Sequence, residues 1–169
     1  MRIVVQKIPE EGQTVSLDDQ TAWAQQAANE AMGGSIRGMS GQLHLQVRHE
    51  MLYVTGELCP AGTVSCHRCG QSVEVAHTLL VDLRYIGAEH KPEGSFELST
   101  SELDMGWYDE GTLQLADVVS EVIALAVPMK ILCEDAKACE QRYKAFASDD
   151  EQERPASHSG FRALKNWTR

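Results

Sequence analysis

Residues 103–139 read LDMGWYDEGTLQLADVVSEVIALAVPMKILCEDAKAC, and this stretch decides the fold. It opens on alternating residues and a turn, Trp107-Tyr108-Asp109-Glu110-Gly111. Leu115, Val118, Val119, Val122, Ile123 and Ala126 then recur at i, i+3, i+4, i+7, i+8 and i+11, one apolar stripe at helical period. Thr112 is the N-cap expected from sequence, because its hydroxyl can satisfy an orphan N–H of the first turn. Pro128 stops the helix and pushes Val127 toward extended geometry. The chain then delivers Cys133, with Cys139 six residues on. A core helix that ends by presenting cysteines reads as half of a site. The other half is Cys66-His67-Arg68-Cys69-Gly70.

Working outward, the chain has 169 residues, 43% of them hydrophobic, which is enough for one domain with a buried core. No apolar run approaches the roughly 20 residues of a membrane-spanning helix. Met1–Lys7 lacks the long apolar region of a secretory signal, so the expectation is a cytoplasmic, reducing location. In such a compartment five cysteines serve metal binding or packing rather than disulfides. The net charge of −10 repels nucleic-acid phosphate at long range, so any contact with RNA is local and a basic protein is the easier partner.

Residues 2–8 are rich in β-branched types and read as a short strand that pairs later in the fold. Ser16, with Asp18 and Asp19 behind it, reads as the cap of a helix from Leu17 to Met32, ended by Gly33-Gly34. Gly41–Arg48 and Met51–Leu58 alternate and form a hairpin through His49-Glu50. Ser72–Ile86 is a further alternating segment, so the Cys66–Cys69 pair sits as a knuckle at a hairpin tip. Residues 87–101 read as a polar loop, with Phe96-Glu97-Leu98 starting another strand. Tyr143 and Phe146 continue a short helix past Cys139. The fold class is therefore α+β: one domain, a mostly antiparallel sheet, the long amphipathic helix on it and a second helix beside that one. Residues 1–147 form this domain. Residues 148–169 form a charged linker, 149–155, and a basic, aromatic C-terminal segment.

The order of these features resembles the YceD-like family, the large ribosomal RNA subunit accumulation proteins. The resemblance is carried by Cys66 and Cys69, by Leu113–Glu121, by Leu125–Cys133 and by Cys139, with Phe161–Lys165 similar to the family's usual ending. It implies a non-enzymatic role in production or stability of 23S ribosomal RNA through large-subunit assembly. Many relatives carry a second Cys-x-x-Cys-Gly after the core helix. Here Cys139 is followed by Glu140-Gln141-Arg142, so that pair is missing.

Cys66, Cys69, Cys133 and Cys139 are a candidate four-thiolate zinc site, the two-residue gap serving one corner and the five-residue gap the other. The alternatives are unligated thiols, a disulfide, or a thiol- or zinc-dependent hydrolytic or redox enzyme at Cys66 and Cys69. The redox reading wants a helix N-terminus, and here strands flank the pair. His67 points outward between the ligands, and Cys59 stands apart as a core or surface thiol. No phosphate loop, His-Glu-x-x-His or Gly-x-Ser-x-Gly is present, so no enzyme and no small-molecule substrate is expected. Asp117 and Glu121, one turn apart, read as a solvated helix face. Phe161, Arg162, Leu164, Lys165 and Trp167 read as the partner-binding segment, able to dock on a ribosomal protein or assembly factor or to touch ribosomal RNA.

Overall fold

The computed structural model describes residues 1–90 and 105–153. Its spine is a hairpin of two long strands, β3 (Ser35–Arg48) and β4 (Met51–Ser65). His49 and Glu50 turn between them with φ of 48° and 66°, the two left-handed residues of a two-residue hairpin loop. Near mid-hairpin, Gly41 and Gly56 adopt φ of 152° and 147°. A Cβ on either would overlap a carbonyl oxygen of the facing strand, Glu57 for Gly41 and Gln42 for Gly56. The strands can approach so closely only because neither residue has a side chain there.

Both edges of β4 are paired. β3 takes one edge. The other is shared by β5 (Ser72–Ala76), against Ala61–Ser65, and β6 (Leu79–Gly87), against Leu52–Leu58. The single alternating segment expected over 72–86 is thus two strands with a break at His77-Thr78. The break lies opposite Pro60, whose carbonyl accepts the His77 N–H at 3.3 Å but which has no N–H to return. β2 (Gln13–Leu17) pairs antiparallel with β3, and β7 (Met105–Tyr108) pairs parallel with β6. The six-stranded sheet is antiparallel except at that last pair, and the α+β class stands.

Two helix starts differ from the sequence reading. Residues 13–17, expected in part as a helix start, form β2, with Val15 and Leu17 inward and Val15 opposite Leu43. Helix α1 begins only at Ala22 and runs to Met32. Asp18 and Asp19 fold the connecting turn instead. Asp18 accepts from the Gln20 N–H and the Thr21 hydroxyl, and Asp19 accepts from the Met39 N–H at 2.9 Å, beside the irregularity in β3. Thr112 is likewise no cap. It lies in β8 (Thr112–Gln114), which pairs with β1 (Arg2–Val4), the N-terminal strand expected to pair later in the fold. Helix α2 starts at Leu115, whose N–H donates to the carbonyl of Met1 at 2.9 Å, and runs to Ala126.

One face of the sheet is the core. Met39, Leu43, Leu45, Leu52, Val54 and Leu58 are fully buried there. Helix α1 meets it with Ala24, Ala27 and Ala28, small residues that let it pack close against α2 and β3. Helix α2 presents Leu115, Val118, Val119 and Ile123 of the stripe read from sequence, while Val122 is half-buried and Ala126, at the helix end, is exposed. Gly33, left-handed at φ 60°, ends α1, and Val127, extended at ψ 122°, ends α2 before Pro128. Helix α3 (Ala136–Glu153) is longer than expected and carries the charged residues 149–153 that composition assigned to a linker. The strand expected at 96–98 and the segment from Phe161 to Trp167 lie outside the described residues. Among the described residues no helix is long and apolar enough to cross a membrane.

Ile123 is 1% exposed on α2. Ile123→Asp places an unpaired carboxylate in this core at a cost of several kcal/mol, a large part of a domain stability of roughly 5–15 kcal/mol. Its cooperative thermal transition is expected to disappear or fall steeply; a wild-type melt would show that α2 buries another face.

Candidate metal centre

β4 ends at Ser65 and the chain turns at once through Cys66–Gly70. The Cys66 N–H donates to the Gln71 carbonyl at 2.8 Å, and the Gly70 N–H closes the turn on the Cys66 carbonyl at 2.9 Å. Gly70 takes φ 73°, the left-handed value that lets the chain reverse within one turn. The second pair arrives from the far end of the core helix. After Pro128 the chain lies against the knuckle, where the His67 N–H donates to the Ile131 carbonyl at 2.8 Å. The Ile131 N–H donates back to His67 Nδ1 at 3.3 Å. This two-point clasp brings Cys133 to Cys69. Asp135 then opens α3 by accepting the N–H groups of Lys137 and Ala138 on its carboxylate, and Cys139 falls one turn in.

The four sulfurs lie within 4.8 Å of one another. Cys66 and Cys139 are 3.7 Å apart, and Cys69 and Cys133 are 3.5 Å apart. A tetrahedron of sulfurs at about 2.3 Å from a central ion has edges of about 3.8 Å. The spacing is far from the roughly 2.05 Å of a disulfide. The cluster therefore has the donor set and dimensions to hold a metal ion. Cys66 and Cys139 are each 2% exposed, while Cys69 and Cys133 are half-buried.

The electrostatics divide the cluster in two. The Cys69 N–H, aimed at the Cys66 sulfur, lowers that thiol from 9.0 to about 6, against the opposing effect of burial and with help from the Arg68 N–H. The Gln71 N–H lowers Cys69 in the same way. Burial raises Cys133, and burial together with the neighbouring sulfurs of Cys69 and Cys66 pushes Cys139 up to about 12. The knuckle half thus tends to thiolate and the later half to thiol. Arg142 stands beside them, its guanidinium donating to the Cys133 sulfur at 3.5 Å. The sulfurs of Cys69 and Cys133 raise its own pKa in turn. A four-thiolate divalent centre would carry net charge −2, part of which Arg142 would offset. Arg68 ties α3 to the knuckle from outside: it pairs with Glu140 and lies 5.6 Å above the Tyr143 ring.

The structure brings together all four cysteines singled out by spacing and leaves the others apart. His67 is exposed and is engaged by Ile131 rather than by the cluster. Cys59 sits in β4, its thiol donating to the Thr78 hydroxyl at 3.7 Å. Sequence reasoning missed Arg142 and the His67–Ile131 clasp. Arg142 had a signal, since a residue three past Cys139 in a helix shares its face, although the sulfur it reaches is that of Cys133.

A family model described as "Large ribosomal RNA subunit accumulation protein YceD" matches residues 54–167. The chain belongs to the YceD family. The YceD match begins inside β4 and takes in the knuckle, α2, all four cysteines and the C-terminal segment. No curated protein and no solved structure gives a match.

Two measurements follow from this geometry. Purified under reducing conditions, the protein is expected to carry about one metal ion per chain; Cys66→Ser or Cys133→Ser lowers metal content and melting temperature together, and Cys59→Ser changes neither. Full metal in Cys133→Ser would remove that residue from the ligand set.

The metal-free, reduced protein should also show the split in its pH dependence. Cys66 is a thiolate when folded and a thiol when unfolded between about pH 6 and 9, so its contribution is complete above 9 and lost as pH falls through 6. Cys139 has the opposite sign, its contribution present below pH 9 and lost as pH rises toward 12. The difference in melting temperature between wild type and Cys66→Ser should widen from pH 6 to 9. A constant difference would mean that the knuckle N–H groups do not favour the thiolate.

Proposed function

We propose that this chain supports accumulation of 23S ribosomal RNA and assembly of the large ribosomal subunit in the bacterial cytoplasm, acting as a binding factor rather than as an enzyme. The observation that carries this reading is the YceD family match over 54–167. The metal is taken to be zinc, which favours four-thiolate sites of this size. In this reading the ion is a staple. It would join the end of β4, the irregular segment after α2 and the first turn of α3, elements otherwise linked by the His67–Ile131 clasp and the Arg68–Glu140 pair. The burial of Cys66 and Cys139 supports a structural over a catalytic role, since a reacting thiol must be reached by its substrate.

The partner contact is assigned to the C-terminal segment. Phe161, Leu164 and Trp167 recur every three residues, with Arg162, Lys165 and Arg169 among them and no acidic residue. In a chain of net charge −10 this is a local cationic, aromatic element. It suits a groove on a ribosomal protein or assembly factor, or ribosomal RNA, where Trp stacks and Arg meets phosphate. Residues 148–153 belong to α3, and the proposed tail begins after it.

The test is sedimentation of lysate from growing cells. The full chain is expected to travel with precursors of the large subunit. A chain ending at Pro155 should keep its melting temperature and leave those fractions. A truncated chain that still co-sediments would place the contact on the folded domain instead.

A further inference from the structure

A second feature lies at the opposite end of the sheet from the cysteines. β4 starts beside the His49-Glu50 turn and ends at the knuckle, 15 residues on, or roughly 50 Å at the usual rise of an extended strand. At the starting end two hollows of about 390 Å³ and 420 Å³ share the side chain of Tyr108 as a common wall. The first is floored by Tyr85, Leu113 and Val118, with Trp107 beside them. Asp109, Glu110, Asp117 and Glu121 line it. The second has Val5, Ile8 and Val47 below and Glu10, Glu50 and Glu89 around it.

Together the hollows form one groove with an apolar and aromatic floor and seven of the chain's 25 acidic residues along it. Arg2 is the only Lys or Arg among the described residues that line it. None of the seven carboxylates is in an ion pair among the described residues. A Cβ on Gly106 would overlap the Tyr85 ring, so this glycine lets β7 pass over a tyrosine that is 6% exposed. Burial, with the Glu121 carboxylate beside it, holds the Tyr85 hydroxyl well above its ordinary pKa at the groove wall.

The arrangement narrows the ligand. The carboxylates are strung along the groove rather than convergent: among the described residues only the four cysteines form a group able to hold a metal ion. Nucleic acid is repelled by seven like charges. A row of separated anions over aromatic rings fits several cations on one flexible backbone, each meeting a carboxylate or the face of Trp107 or Tyr108. The chain's own last sixteen residues bring only Arg154, Arg162, Lys165 and Arg169, four cations against seven anions. We propose that this groove is the docking site for an extended, arginine- and lysine-rich segment of a partner protein. The site is independent of the cysteine cluster and of the C-terminal contact proposed above, and it accounts for Trp107, Tyr108 and the Asp117–Glu121 pair.

The test uses the full chain and a fluorescein-labelled 12-residue peptide of alternating Arg and Gly, titrated by fluorescence anisotropy at 0.1 M salt. Saturable binding is expected. Asp117→Lys with Glu89→Lys, one on each side of Tyr108, should weaken it at least tenfold, and Asp117→Asn with Glu89→Gln should weaken it severalfold. Glu30→Lys with Glu57→Lys makes the same change in net charge at exposed positions outside the groove and should weaken it less than twofold. Equal losses in the two lysine pairs, or no saturable binding, would overturn the proposal. So would a tenfold gain in peptide affinity when Arg154, Arg162, Lys165 and Arg169 are replaced by Ser in the full chain, since the groove would then hold the chain's own end. Melting curves of each variant confirm that the surface changes leave the fold in place.

Discussion

The fold depends on one strand being hydrogen-bonded along both edges. β4 receives β3 on one side and β5 and β6 end to end on the other, and its inward residues Leu52, Val54 and Leu58 are fully buried. A strand paired on both edges and covered on one face has a fixed register, because a slip of one residue would turn every inward side chain outward. That fixed register reaches both ends of the molecule. At one end it places the Cys66 turn; at the other it places Tyr85, opposite Leu52, under the aromatic groove.

Helices α1 and α2 complete this arrangement without side-chain cap bonds at their N-cap residues. Helix α2 is instead positioned by its apolar stripe and by the backbone bond from Leu115 to Met1. Tertiary contacts thus set where α2 begins, as is usual for helices too short to be stable alone. The other end of α2 is set locally, by Pro128, and the segment released there carries Ile131 and Cys133 to the knuckle.

What could be read from sequence follows from that division. Periodicities and local turns were legible: the stripe on α2, the His49-Glu50 turn, the Cys66–Gly70 knuckle, the glycine stop of α1 and the cysteines themselves. Boundaries set by distant partners were not. Ser16 and Thr112 look like caps, but β3 draws the first into a strand and β1 draws the second, and neither partner is local in sequence. The break at His77-Thr78 depends on a missing N–H at Pro60 in another strand. Helix α3 was shortened by reading charge as linker. Yet its Ala, Glu, Gln, Lys and Arg residues are good helix formers, and Glu140 pairs with Lys144 one turn on. The positions expected to bind a partner, Phe161 to Trp167, fall outside the described residues, so only their sequence speaks for them.

The clasp between His67 and Ile131 has a consequence for how the chain is made. Its two halves are separated by more than sixty residues, so the loop they close is long and the contact cannot form while the chain is short. A ribosome adding amino acids in order releases Cys66 and Cys69 well before Cys133 and Cys139. For that interval the nascent chain exposes two thiols without the ring of partners that later encloses them. The cluster can close only after α2 has left the exit tunnel and settled on the sheet. Its closure therefore marks the end of folding for this domain rather than its beginning, and a chain stalled before α2 would present half a site to the cell.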